Sequence, residues 1–147
     1  MPKHQETRLL PFTAQQMFDL AIDVERYPEF LPWCQSCQIV SQEGDFLIAD
    51  LGIGYKGMSQ TFRSQVNFIS PSEIKVDYLE GRLKYLKNIW HFEDLQPNQC
   101  KIDFFIDFSF GRGLLQFAVE AIFEKALSQM IHSFEQRANK IYGLKRY

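Results

Sequence analysis

The chain is short of most features that announce a function. No run of apolar residues reaches the roughly 18 needed to cross a bilayer as a helix, so no helical membrane span is expected. Neither sign of charge dominates: 16 Lys and Arg stand against 18 Asp and Glu, a net charge of −2. A general nucleic-acid binder would be strongly basic, so DNA is not an expected partner. Three cysteines, an odd number, suit reduced thiols in the cytoplasm better than a disulfide framework. Met1-Pro2-Lys3-His4 opens onto a polar-alternating segment with no apolar signal-peptide core. There is no internal repeat, low-complexity stretch or linker, so residues 1–147 read as one domain. Gly-x-Ser-x-Gly and phosphate-binding loops are missing too.

What the chain has in quantity is apolar and aromatic surface: 46% hydrophobic residues and 14 Phe. Gln5 to Leu10 alternates weakly and reads as a strand, broken by Pro11-Phe12. Thr13-Ala14-Gln15-Gln16 has the pattern of a capping box, a Thr N-cap with Gln three residues later. It opens a short helix to about Asp23 with Met17, Phe18, Ala21 and Ile22 on one face. From Cys34 to Ser109 the period is two. Turn signals at Glu43-Gly44-Asp45, Gly54 to Gly57, Ser70-Pro71-Ser72, around Gly81 and at Gln96-Pro97-Asn98 divide it into about six strands of an antiparallel meander. Ile102, Phe104, Ile106, Phe108 and Phe110 share one face of the last, and Leu86, Asn88, Trp90 and Phe92 share one face of the strand before it. From Leu114 to about Tyr142 nothing breaks a helix, giving about 29 residues and roughly 43 Å, with Gly143 as its stop. Met130, Ile131, Phe134, Ala138 and Ile141 form one side of its second half. Its first half is apolar nearly all round, as expected of a helix contacted on more than one side. These elements in this order predict an α+β domain with the long helix across a twisted sheet.

Tyr27-Pro28-Glu29-Phe30-Leu31-Pro32-Trp33-Cys34 stands apart. Two prolines remove two backbone donors and bias Tyr27 and Leu31 towards extended geometry, so regular structure is not expected here. Connecting segments are usually polar. This one packs on an apolar body as a plug, lines the entrance to a cavity, or meets an apolar partner. A Trp and a Tyr at such a mouth also suit a membrane surface.

The run Val24-Glu25-Arg26-Tyr27-Pro28-Glu29-Phe30-Leu31-Pro32-Trp33-Cys34 resembles the signature of the coenzyme Q-binding and RatA (ribosome association toxin) family, within the START-like, polyketide cyclase-related superfamily. Leu86-Lys87-Asn88-Ile89-Trp90-His91-Phe92 is similar to that family's Leu-x-Asn-x-Trp-x-Phe strand, and the likeness continues through Ile102–Phe110 and Leu114-Leu115. Gly81-Arg82-Leu83 departs from the Gly-Pro-Phe of many members. The resemblance implies a helix-grip fold: a curved antiparallel sheet of six to seven strands around the C-terminal helix, with an apolar tunnel between. One branch binds ubiquinone or related polyprenyl lipids and supports respiratory electron transport; the other blocks association of the ribosomal subunits. The first implies a lipid ligand, no catalytic cofactor, and a cytoplasmic protein that touches the inner membrane.

On this reading Tyr27, Phe30, Leu31, Pro32 and Trp33 form a gate. Phe62, Trp90, Phe104 and Phe108 line the wall, and Phe117, Ala118, Ala121 and Ile122 make a helical floor. Asn88 is the polar candidate, either bonded to neighbouring backbone or donating to a quinone carbonyl. Acid–base catalysis needs titratable groups converging in the cavity, whereas strand parity turns Lys101, Asp103, Asp107 and His91 away from it. Trp33-Cys34-Gln35-Ser36-Cys37 resembles a Trp-Cys-x-x-Cys redox centre only superficially, because an apolar proline loop precedes it where that motif opens a helix. His4, His91 and His132 share no metal-ligand spacing with the cysteines. Arg137, Lys140, Lys145 and Arg146 form a modest basic cluster that a ribosome-directed function would use.

Overall fold

The computed structural model describes residues 3–55, 58–81, 83–109, 125, 126 and 128–143. Its strands are β1 (Lys3–Leu10), β2 (Cys34–Glu43), β3 (Phe46–Tyr55), β4 (Met58–Ile69), β5 (Glu73–Gly81), β6 (Tyr85–Gln96) and β7 (Gln99–Ser109). All pair antiparallel in one sheet of order β1-β7-β6-β5-β4-β3-β2. The six strands expected between Cys34 and Ser109 are all present, with turns at Gly44-Asp45, Ser70-Pro71-Ser72 and Pro97-Asn98 as predicted; the other two predicted turns include residues outside the described ones. Short turns force consecutive strands to pair, which gives the β2–β7 meander. The edge strand β1 returns to pair with β7 over Lys3↔Asp107 to Leu10↔Cys100. Register shifts at Cys34/Ser36, Ile39/Ser41, Arg63/Ser64 and Asp94/Gln96 add local bend and twist, curving the sheet around its apolar face.

Helix α1 (Ala14–Ile22) begins at the predicted cap. Gln16 N donates to Thr13 Oγ1 at 3.0 Å and Thr13 N to Gln16 Oε1 at 2.9 Å. Ala14 N, another orphan donor of the first turn, reaches Asp94 Oδ1 on β6 at 2.8 Å. The helix packs Phe18 edge-on to Phe92, ring centroids 5.8 Å apart.

The proline-bounded segment corrects an expectation. Val24–Glu29 is a 3₁₀ helix with Pro28 inside it, so Tyr27 is helical, not extended. Burial of Val24 and Tyr27 outweighs the pre-proline bias. The exposed Pro28 and Glu29 lie at the end of the helix, and Phe30 N and Leu31 N both return to Tyr27 O, at 3.1 and 2.9 Å.

Helix α2 (Met130–Tyr142) lies on the concave face and ends before Gly143. Met130, Ile131, Phe134 and Ala138 face inward as expected. Ile141 does not: it is 50% exposed. Tyr142 takes the inward position, 6.3 Å from the Phe12 ring. Residues 114–124 and 127 of the expected first half of this helix, including Phe117, Ala118, Ala121 and Ile122, lie outside the described residues.

Candidate functional site: an apolar cavity on the concave face

Alternation along each strand sends one set of side chains to the concave face, and the register lines these sets up across the sheet. One cross-strand row runs Leu47, Val66, Val76, Asn88, Ile106. A second runs Ala49, Ser64, Tyr78, and a third joins Leu51 to Phe62 and Gly81. Between this floor and the helices a cavity of about 100 Å³ remains. Most of its lining comes from β3 to β7. Ala21 closes it from α1, Val24 and Tyr27 from the 3₁₀ helix, Trp33 from the turn before β2, Cys37 from β2, and Met130 from α2. An engineered cavity of about 150 Å³ takes up benzene. The space here is therefore on the scale of one ring.

The rim has one close approach that only glycine allows. Gly81 has φ +144°, and a Cβ there would sit 2.6 Å from Phe62 Cβ and 2.9 Å from Phe62 Cα. Two residues on, Leu83 is buried and lines the cavity. Leucine thus supplies the apolar side chain where the resembling family has Phe; Arg82 lies outside the described residues.

Polar groups are few and mostly occupied. Asn88 is buried, donates from Nδ2 to Phe105 O at 2.8 Å, and accepts Trp90 Nε1 on Oδ1 at 2.8 Å. Of the two expected roles, the bond to neighbouring backbone is therefore present; one amide hydrogen remains uncommitted. Tyr27 hydroxyl donates to Ala21 O in the last turn of α1, satisfying one of that helix's terminal carbonyls. Burial pushes its hydroxyl well above the usual tyrosine range, with Cys37, Cys34 and Asp23 adding to the shift. Burial also pushes Cys34 up to about 11 and Cys37 up to about 12. Both thiols stay protonated near neutrality and are free, the opposite of an activated redox pair. Ser64, also buried, completes the polar lining.

Among the described residues the cavity wall carries no Lys, Arg, His, Asp or Glu. Strand parity sends many of the charges to the outer face. Arg63 spans to its cross-strand partner Asp50 at 2.7 and 3.0 Å. Asp103 accepts Thr7 Oγ1 at 2.6 Å, and Asp107 accepts Tyr85 hydroxyl at 3.0 Å. The inward-facing exceptions lie on the edge strand β1. There Glu6 accepts Arg8 at 2.8 Å and contacts His4 at 2.9 Å, and Arg8 reaches Glu135 of α2 at 2.7 Å. Burial pulls the Glu6 carboxyl upward, but the hydrogen bonds and charges of Arg8 and His4 outweigh it and leave it below the usual value.

Six of the expected site residues line the cavity: Tyr27, Trp33, Phe62, Asn88, Trp90 and Phe108. The other described ones do not. Leu31 is 1% exposed, in the core, so it cannot act as an open gate. Pro32 is exposed. Phe104 packs edge to face with Trp90 at 4.8 Å and is buried outside the cavity lining. Phe30 packs edge-on to Phe134 at 5.0 Å, and the Arg137 guanidinium lies 5.1 Å above its ring. Arg137 also binds Glu29. That pair joins the 3₁₀ segment to α2 and takes Arg137, with only 12% of its side chain exposed, out of the expected basic cluster. Lys140 stays exposed, and Lys145 and Arg146 lie outside the described residues. Sequence reasoning missed Ser64, Val66, Leu86 and Ile106, although each shares strand parity with a residue it named, and Val76, whose strand β5 carried no named site residue. Ala49, Leu51 and Ile53 lie on β3, a strand from which sequence reasoning named no site residue.

Comparison with known proteins gives a consistent picture. Residues 10–135 match the family described as polyketide cyclase/dehydrase and lipid transport. The ribosome association toxin RatA of Pseudomonas aeruginosa is 32% identical, covering 95% of this chain and 96% of that protein. The mitochondrial coenzyme Q-binding protein COQ10 homolog B of Xenopus laevis is 28% identical, covering 96% of this chain and 59% of that one. A START superfamily protein from Mycobacterium smegmatis superposes with a TM-score of 0.79 at 16% identity, over 95% of this chain and 98% of that one. The last confirms the START-like fold.

Proposed function

We propose a lipid-binding function on the premise that the chain belongs to the polyketide cyclase/dehydrase and lipid transport family. The cavity holds the ring of a polyprenyl quinone or a similar neutral lipid, and the protein acts as its carrier or chaperone, supporting respiratory electron transport. One observation carries this reading: an apolar, ring-sized space walled by Trp33, Phe62, Trp90 and Phe108. Apolar area removed from water stabilises a complex by about 25 cal/mol per Å², so such a wall favours a greasy ligand without any ion pair. The relative named for binding coenzyme Q supports the choice of ligand.

A cyclase-type enzyme fits less well. The ionisable groups on the described wall are Tyr27 and Cys37, both held protonated by burial, and neither is poised to exchange protons near neutral pH. A ribosome-directed function is the second reading, favoured by the similarity to the ribosome association toxin RatA. It needs a contact surface outside the cavity, and Arg137 is already committed to Glu29 and Phe30.

Lipid extraction and mass spectrometry of protein purified from a quinone-producing host tests the proposal. One equivalent of a polyprenyl quinone or a comparable neutral lipid is expected. An empty protein that also refuses added quinone, yet co-sediments with ribosomal subunits, would transfer the function to the second reading.

A further inference from the structure

Tyr78 is an anomaly on β5, beside the cavity rather than among its lining residues. Its ring packs against the core, 6.1 Å from Phe62, and its hydroxyl is buried with no hydrogen-bond partner. Buried polar groups are nearly always paired, and an exception calls for a reason such as a bound group that is absent. Its cross-strand partner is Ser64, whose buried side chain lines the cavity. Asn88 stands one row along, paired with Val76 two residues from Tyr78. Adjacent cross-strand side chains lie about 5 Å apart and diagonal ones about 7–8 Å. Ser64 and Asn88, which line the cavity, and Tyr78 beside them on β5 thus form one polar island on a face that is otherwise aliphatic and aromatic.

Resting on the lipid reading above, we propose that this island seats the polar end of the ligand. The hydroxyls of Ser64 and Tyr78 donate to a neutral acceptor, such as a ring carbonyl, and the spare Asn88 amide hydrogen stands beside them. The ligand class follows from what each side chain offers. Hydroxyls and an amide satisfy a carbonyl, ether or hydroxyl oxygen. A carboxylate or phosphate would lose its hydration with no cation on the described wall to compensate. The ligand therefore enters head first and is uncharged. Its tail leaves along the apolar wall, because a ring already fills about 100 Å³.

The two tryptophans of the chain both line the cavity, so their fluorescence reports occupancy directly. The test titrates three probes into wild type, Ser64→Ala and Tyr78→Phe: a decyl-substituted benzoquinone, decylbenzene as its carbonyl-free counterpart, and palmitate. Wild type is expected to bind the quinone well and palmitate at least about tenfold more weakly. Each variant loses about three- to tenfold in quinone affinity, as for one hydrogen bond, and keeps its affinity for decylbenzene. Tyr78→Phe also raises the ligand-free Tm, because it removes an unpaired buried hydroxyl; a hydroxyl with a structural partner would lower it. Quinone affinity unchanged in both variants overturns the polar island while leaving the lipid-binding reading in place. Palmitate bound as tightly as the quinone overturns the neutral head group. Wild type that binds neither the quinone nor decylbenzene removes the lipid reading and this proposal with it.

Discussion

Leu31 and Trp33 sit two residues apart in one proline-bounded stretch and do different jobs. Leu31 is in the core and Trp33 faces the cavity. The sequence marks both as apolar residues where a polar loop is usual, but hydrophobicity alone does not say which of two neighbours fills the core. Strand parity decides such questions elsewhere; outside a strand there is no period to use. Asn88 was legible for the opposite reason, because its place between Leu86 and Trp90 fixes its side of the sheet. Ser64 and Tyr78 were not: a small hydroxyl and a strand tyrosine draw no notice until their pairing is known. Leu31→Ala is expected to destabilise the protein by about 2–5 kcal/mol in urea unfolding, the range for a large-to-small core change. A loss within about 0.5 kcal/mol, typical of surface positions, would return Leu31 to the gate.

Local signals serve well at the level of whole elements and fail where two distant elements meet. The cap of α1 could be read because donor and acceptor are three residues apart. The 3₁₀ helix could not, because burial of Val24 and Tyr27 against distant partners overrides the pre-proline preference. Nor could the Glu29–Arg137 pair, which joins residues 108 positions apart. This pair has a pH signature. The hydrogen bond from Arg137 is the largest influence on the Glu29 carboxyl and holds it below its ordinary 4.5. A depressed carboxyl contributes stability that is fully present above its unfolded value and is lost as pH falls through the folded one. Arg137→Met is therefore expected to lower Tm at pH 7, with a gap to wild type that narrows below about pH 4.5. Some gap remains, because the contact of Arg137 with Phe30 does not titrate there. A gap independent of pH from 7 to 3 would mean that the ion pair contributes nothing, as many exposed pairs do.

For the molecule as a whole, period two and the turn signals were enough to give seven antiparallel strands and a helix across them. A cavity is harder to foresee, since it is a small difference between the space the sheet encloses and the side chains that enter it. Small residues facing it, Ala21 and Ala49, help leave it open. Ala49 lies directly opposite Ser64, beside the proposed seat of the head group. Ala49→Phe should fill the space with apolar atoms and keep Tm within a few degrees of wild type. The most direct measurement is a tryptophan-fluorescence titration of wild type and Ala49→Phe with a short-tailed benzoquinone. Saturable quenching at one equivalent in wild type, abolished in a folded Ala49→Phe, is the predicted result. No saturable quenching in wild type, or the same quenching in both proteins, would contradict a ligand in the cavity.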